Sequence, residues 1–312
     1  MAKWLHTTET IKFEVRDRVA YITLNRPEKR NALSDQLLNE LNRALMEADD
    51  LREVRCVVLA GEGKDFCAGY DLGGNYQAKV LAEAEAKARG EKPPEDPYRP
   101  QGAAPFDDDT WMLERMQDLK MIIFDMHKPV IARVHGNCLA GGTDIAFLCD
   151  MVIATNDARL GFPATRSLGS PPQHMWLYHC GPQWSKRLLM TGDCVRGKDA
   201  AKIGLVMKAV PADKLDHEVN DLTRRLSSVE ADLLAAQKRI VNLGLEMMGA
   251  RTLQRLAGEA DARAHLSKAR YAWRDDVAAL GLKGALRKRD EPFGDGDARV
   301  DELQPELPRA AE

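Results

Sequence analysis

The sequence predicts an α/β fold built from stacked ββα units. Three observations carry this expectation. Short apolar stretches of strand character recur through the first half of the chain. Glycine-containing turns close them, and helical periodicity follows more than once. From about residue 185 the chain turns helical and increasingly charged.

Residues 11–25 alternate apolar and polar positions around a charged turn and are rich in β-branched side chains, which predicts a hairpin. Arg26-Pro27 ends its second strand, because proline has no N–H to give to a ladder. Ser34 is a good N-cap, and Leu37, Leu38, Leu41, Ala44 and Leu45 follow at helical spacing. Residues 55–60 form a nearly continuous apolar run, as expected of a buried strand. They lead into Phe66-Cys67-Ala68-Gly69-Tyr70-Asp71-Leu72. Residues 73–110 break the pattern, with Ala, Glu and Lys first and then Pro93, Pro94, Pro97, Pro100 and Pro105. They read as an insert or lid, a mobile helix and loop. A helix over 111–127 stops at Lys128-Pro129. Val130 to Val134 reads as a strand, and Ala140-Gly141-Gly142 opens a helix through Leu148 after a glycine-containing turn. Another strand covers 151–154. The expected organisation is a core over 1–210, a helical region over 211–286, and a polar, poorly ordered tail over 287–312.

Composition narrows the function. The 312 residues are 44% hydrophobic and 30% charged, ordinary for a soluble globular protein with a large core. A formal net charge of -3 gives no electrostatic case for nucleic acid or an anionic membrane as partner. The first ten residues hold no apolar run of signal-peptide type. No stretch approaches the roughly 18–20 apolar residues that span a bilayer. The expected location is the cytoplasm. Six cysteines are scattered without a CxxC pair, several within apolar runs, and read as buried reduced thiols.

Two glycine turns carry the chemistry. A reaction that places negative charge on a carbonyl oxygen needs donors where that charge develops. Backbone N–H groups serve when glycine permits close approach. Ala68-Gly69-Tyr70-Asp71-Leu72 follows a buried strand, so the Tyr70 N–H can project from a tight turn. Ala140-Gly141-Gly142 starts a helix after a strand, leaving the Gly141 N–H without an intrahelical partner. Either segment alone reads as an ordinary turn.

The chain resembles the crotonase, or enoyl-CoA hydratase/isomerase, superfamily. The matching text begins with Ile22-Thr23-Leu24-Asn25-Arg26-Pro27, Asn31-Ala32-Leu33 and Val57-Val58-Leu59-Ala60-Gly61. It continues through residues 66–72, Lys128-Pro129-Val130-Ile131-Ala132 and residues 136–150. Leu188-Leu189-Met190-Thr191-Gly192 and residues 200–210 complete it, in unbroken order over roughly residues 10–290. The resemblance implies a spiral of ββα units with a C-terminal helical trimerisation region, in a homotrimer or hexamer. It implies an acyl-CoA thioester substrate, no cofactor beyond the coenzyme A that the substrate carries, and no metal. It also implies that Tyr70 and Gly141 form an oxyanion hole for the thioester enolate. Lys29, Arg30, Ala32, Cys67 and Ala68 then line the coenzyme A site.

Hydratases of this superfamily use two glutamates. The first follows the oxyanion glycine by three residues, and here Asp144 stands there. The second follows a Gly-x-Pro element, and here Gly161-Phe162-Pro163 is followed by Ala164, with Thr165 the alternative alignment. Neither is a carboxylate. One carboxylate still suffices to move a proton between carbons of one substrate, as an isomerase does. His174 is a candidate helper, against the plainer reading of a packed histidine. Glu114 and Asp118 read as solvated charges on one helix face. Arg166 is read as partner to an acyl carboxylate or to Asp144. Trp176 and Trp184 read as core. Ordinary two-glutamate hydration is therefore not expected. Double-bond isomerisation, thioester or C–C hydrolysis, and acyl-CoA binding without catalysis remain open.

Overall fold

The computed structural model describes residues 2–73, 75–92 and 105–306. Strands β1 (Ile11–Arg16) and β2 (Val19–Leu24) form the expected hairpin, in antiparallel register from Ile11 opposite Leu24 to Arg16 opposite Val19. Asp17 and Arg18 turn it with φ of 51° and 65°, as a two-residue turn between right-twisted strands requires. Helix α1 (Asp35–Asp50) starts where Ser34 Oγ accepts from the Leu37 N–H at 3.2 Å. The chain continues through β3 (Cys56–Gly61), α2 (Asn75–Arg89) and α3 (Pro105–Asp125). Next come β4 (Val130–Val134), β5 (Asn137–Leu139), α4 (Gly141–Ala146), β6 (Met151–Thr155) and β7 (Arg159–Gly161). They are followed by α5 (Trp176–Thr191), β8 (Cys194–Arg196), α6 (Gly197–Lys202) and β9 (Lys208–Val210). Helices α7 (Leu215–Ser227), α8 (Ala231–Met247), α9 (Ala250–Ala264) and α10 (Lys268–Asp290) lead to β10 (Asp297–Ala298).

The strands form two sheets. One has the order β1-β2-β3-β4-β6-β9, parallel except for the first pair, and the other has the order β10-β8-β7-β5. The pairs β4–β5 and β6–β7 each place their first strand in the larger sheet and their second in the smaller. After β3, Cys67 takes the corresponding place and bridges Cys138 of β5 in parallel. This is the expected spiral. Its main core joins β2, β3, β4 and β6 to the apolar faces of α1, α3, α4 and α5. A smaller apolar cluster lies under α7.

Three expectations change. The insert helix α2 is packed: Val80 meets Trp273 and Val277 of α10, and Trp273 Nε1 donates to the Tyr76 hydroxyl at 3.2 Å. The proline run over 93–104 lies outside the described residues. The segment after 287, expected as a loose polar tail, instead completes α10 and adds β10 parallel to β8. The Asp297 carboxylate accepts from Arg159 Nε at 2.6 Å and Arg196 Nε at 2.7 Å. Gly and Pro read locally as loose chain, whereas these partners stand about a hundred residues away. Helix α5 begins at Trp176, ahead of residue 185, and kinks at Gly181-Pro182. All six cysteines are buried and unbridged, as expected. Among the described residues no helix is long and apolar enough to cross a membrane.

Candidate active site

The two glycine turns meet because their strands lie side by side. Cys67 N donates to Asn137 O at 3.0 Å, and Leu139 N returns to Cys67 O at 2.9 Å. The parallel segments therefore end together. Leu33 then takes both neighbours of Tyr70: its N–H donates to Gly69 O at 2.8 Å, and its carbonyl accepts from Asp71 N at 3.0 Å. In an extended segment, alternate amides face opposite sides, so the Tyr70 N–H turns away from Leu33. Gly69 has φ of 110°, which only glycine adopts without strain. A Cβ there would stand 3.7 Å from Gly141 N, so the two turns are in contact. Ala140, at φ 47°, swings the chain into α4, where Gly141 is the first residue. Among the described residues, neither the Tyr70 nor the Gly141 N–H donates to another protein group.

Asp144 sits in the first turn of α4. Its Oδ2 accepts from the Tyr70 hydroxyl at 2.6 Å. Lys120 Nζ, from α3, donates to the same hydroxyl at 2.6 Å and stands 3.7 Å from Asp144 Oδ2. The side chains of Lys120 and Asp144 are fully buried, and Asp144 Oδ1 has no partner among the described residues. Burial pushes the Asp144 carboxyl up to about 6, against the opposing pull of the Lys120 charge and the Tyr70 hydroxyl. Burial and the nearby Asp144 charge drive the Tyr70 hydroxyl well above its ordinary value. Burial pulls Lys120 down, with Asp144 working against it. Asp144 is thus a carboxyl that gains and loses its proton near neutrality, the property a proton-transfer group needs.

Backbone hydrogen bonds tie the coenzyme A candidates Lys29, Arg30, Ala32 and Ala68 to one another next to the Tyr70 turn. Lys29 closes a 3-10 turn over Pro27–Lys29 and Arg30 follows it at φ 50°, both exposed. Ala32 N donates to Lys29 O at 3.1 Å, and Ala68 N to Arg30 O at 2.9 Å. Asn31, fully buried, braces this corner by donating to Glu62 O at 2.9 Å and Asp65 O at 2.8 Å. Cys67 is buried and its thiol is pushed up to about 12 by desolvation, so it is an inert thiol there.

Other candidates go elsewhere. His174 lines an apolar cavity of about 340 Å³ with Leu177, Pro182, Leu189 and Leu253. Burial pulls its pKa down. No hydrogen bond or ion pair joins it to Asp144 among the described residues. Arg166 does not neutralise Asp144, because its guanidinium is held by Asp193 at 2.9 Å and Asp290 at 3.0 Å and lies over the Phe293 ring. Ala164 and Thr165 form part of a 3-10 turn over Pro163–Arg166. Glu114 and Asp118 are exposed. Trp176 is buried edge-on to Phe147, with ring centroids 4.9 Å apart, and Trp184 packs against the core.

Sequence reasoning missed two residues. Lys120 falls on the apolar face of α3 with Leu113, Gln117 and Ile123, so a lysine at core spacing was the available signal. Asp261 of α9 is buried in a stripe with Ala250, Gln254, Ala257 and Gly258, where a carboxylate among small residues was the only hint. Burial raises its pKa to about 6.

The family model described as enoyl-CoA hydratase/isomerase matches residues 19–255. The crystal structure of an enoyl-CoA hydratase from Mycobacterium smegmatis is 34% identical, with a TM-score of 0.81, covering 93% of this chain and 96% of that one. An enoyl-CoA hydratase/isomerase structure from Xanthobacter autotrophicus Py2 is 32% identical, with a TM-score of 0.78, covering 91% of this chain and 98% of that one. A crotonyl-CoA hydratase of Syntrophomonas wolfei is 29% identical over 243 residues, 76% of this chain and 83% of that protein. With the spiral fold and these matches in place, the chain belongs to the enoyl-CoA hydratase/isomerase family of the crotonase superfamily and is an acyl-CoA-processing enzyme.

Proposed function

We propose that the main-chain amides of Tyr70 and Gly141 hold the thioester oxygen of an acyl-CoA and stabilise its enolate, while Asp144 moves the proton. The observation that carries this reading is the contact between the two turns, with both amides and Asp144 Oδ1, one helical turn along, free of protein partners among the described residues. Such donors are fixed before charge develops, so little reorganisation accompanies the reaction. Lys29, Arg30, Ala32, Cys67 and Ala68 receive the coenzyme A portion, with Lys29 and Arg30 supplying positive charge for phosphate. Coenzyme A enters as part of the substrate, and no other cofactor is required.

Asp144 has the environment of a base. Ionised, it removes a proton from the carbon next to the thioester, and the electron pair passes to the oxygen held by the two amides. Lys120 and the Tyr70 hydroxyl orient Oδ2 and offset its charge, leaving Oδ1 for the substrate. Ala164 supplies no carboxylate at the family's second position, so proton transfer within a single substrate, as in a double-bond shift, demands the fewest groups. Exposed apolar residues on α8, among them Leu233, Ile240, Val241 and Met247, support assembly into trimers or hexamers.

The test is exchange of the α-protons of butyryl-CoA in deuterated water, followed by NMR. Wild-type enzyme should exchange them, and Asp144→Asn should slow exchange roughly 10²–10⁴-fold while still binding the thioester. Exchange untouched by Asp144→Asn would remove Asp144 from the role of base. Thioester binding without any exchange would reduce the protein to a binder.

A further inference from the structure

Ala164 leaves the family's second carboxylate position empty of charge, yet a different carboxylate reaches the loop that follows it, at Gly169-Ser170. The amides of Ser167, Leu168 and Gly169 all fold back onto Ala164 O, at 3.2, 2.7 and 3.3 Å. The next amide, Ser170 N, donates to Asp261 Oδ1 at 2.8 Å. A Cβ on Gly169 would come within 2.1 Å of that oxygen, so the glycine is what admits it. Asp261 is 5% exposed, and its charge acts on Tyr70, Lys120 and Asp144 alike. In the same loop the buried hydroxyls of Ser167 and Ser170 have no partner among the described residues.

Helix α9 is fastened in this position. Gln117 Nε2 of α3 donates to Gln254 O at 2.6 Å and also to Pro172 O. Gln254 Oε1 in turn accepts from His174 N at 2.8 Å. One turn beyond Asp261, His265 places Nε2 3.6 Å from Asp261 Oδ1 and Nδ1 3.5 Å from Asp109 Oδ2. The groups facing Asp261 are thus His265 on its own helix, Arg270 of α10, Lys120 of α3 and the Ser170 amide.

We propose that Asp261, delivered by α9 to the loop that starts at Ala164, is the second proton-handling carboxylate of this enzyme, with His265 carrying protons between it and solvent. The inference rests on the enolate reading above and restores to the chain a two-carboxylate hydration that Ala164 alone would deny. Ionised Asp261 takes one proton of a water molecule as the water oxygen bonds to Cβ of a 2-enoyl thioester. The π electrons pass to the thioester oxygen. The enolate then forms its C–H bond at Cα with the proton carried by Asp144. The elements of water end on Cβ and Cα, Asp261 is left protonated and Asp144 ionised. One proton leaving through His265 and one taken up at Asp144 restore the start.

The experiment measures kcat and KM for crotonyl-CoA hydration beside α-proton exchange of butyryl-CoA, on the full-length enzyme and its Asp261→Asn, Asp261→Glu and His265→Gln variants. Wild type should do both. Asp261→Asn should lower the hydration kcat roughly 10²–10⁴-fold with KM within about threefold and exchange lowered at least about tenfold less than hydration, and Asp261→Glu should regain about tenfold or more of the hydration. His265→Gln should lower kcat less, about tenfold, and alter the pH profile of hydration. Parallel loss of exchange and hydration in Asp261→Asn would make Asp261 a prop for the loop and overturn the proposal. So would a kcat loss under about threefold, or exchange without hydration in the wild type. Absence of both reactions in the wild type would instead bring down the enolate reading, and this one with it.

Discussion

At the scale of single residues, Tyr70 has two separable parts. Its N–H belongs to the turn, while its hydroxyl belongs to Asp144 and Lys120. If Asp144, its carboxyl pushed up to about 6 by burial, is the base when ionised, exchange should fall as pH drops through that value. Tyr70→Phe keeps the amide but removes a donor that holds the Asp144 pKa down. A hydrogen bond to a charged group contributes about 1.5–3 kcal/mol, so the acid limb should move up by roughly one to two pH units. A pH profile of α-proton exchange checks this; an unmoved limb would detach the hydroxyl from Asp144. The turn at Gly69 and the helix start at Gly141 were legible because φ preference and orphan amides are local properties. Lys120 and Asp261 were not, since a charged residue on a charged helix reads as solvated until its neighbours from other elements are known. The expectation for Arg166 failed for the same reason: Asp290 lies 124 residues away.

At the scale of elements, local physics carried most of the spiral. The hairpin, the Ser34 cap and the apolar strand at 56–61 depend on near neighbours in sequence, and they stand where expected. The packed insert helix and the C-terminal strand depend on distant ones. Strand β10 is only two residues long, too short to hold by ladder bonds alone, and Asp297 anchors it through Arg159 and Arg196. Asp297→Ala should therefore cost about 1–2 kcal/mol, discounted because both arginines are partly exposed. Limited proteolysis should then cut sooner after residue 290, and the Tm should drop by a few degrees. Unchanged cleavage would show that the ion pairs do not retain the strand.

At the scale of the whole molecule, the chain leaves a row of large apolar side chains on α8 in solvent, with Ile240 and Val241 62% and 63% exposed. If these seal a trimer, Ile240→Glu with Val241→Glu should convert trimers or hexamers to monomers in sedimentation velocity. A variant that sediments as the wild type does would move the interface elsewhere. The class of fold and the acyl-CoA chemistry were readable from ordered motifs, whereas the packing of α9 on α3 was not. Contact between segments more than a hundred residues apart leaves only a faint mark on each, here a lysine at core spacing in α3 and a carboxylate among small residues in α9.

The pair of turns at Gly69 and Ala140 has a consequence for how such an enzyme changes over time. A donor that belongs to the peptide backbone, such as the Tyr70 N–H, survives exchange of its own side chain provided Gly69 and Gly141 stay to admit the turns. On the proposed reading, carboxylates can differ around such donors, with Ala164 at one position and Asp261 reaching the following loop from α9, without disturbing the grip on the oxygen. On that reading the carboxylates are replaceable piece by piece, because the grip on the oxygen rests on chain geometry held by a few glycines.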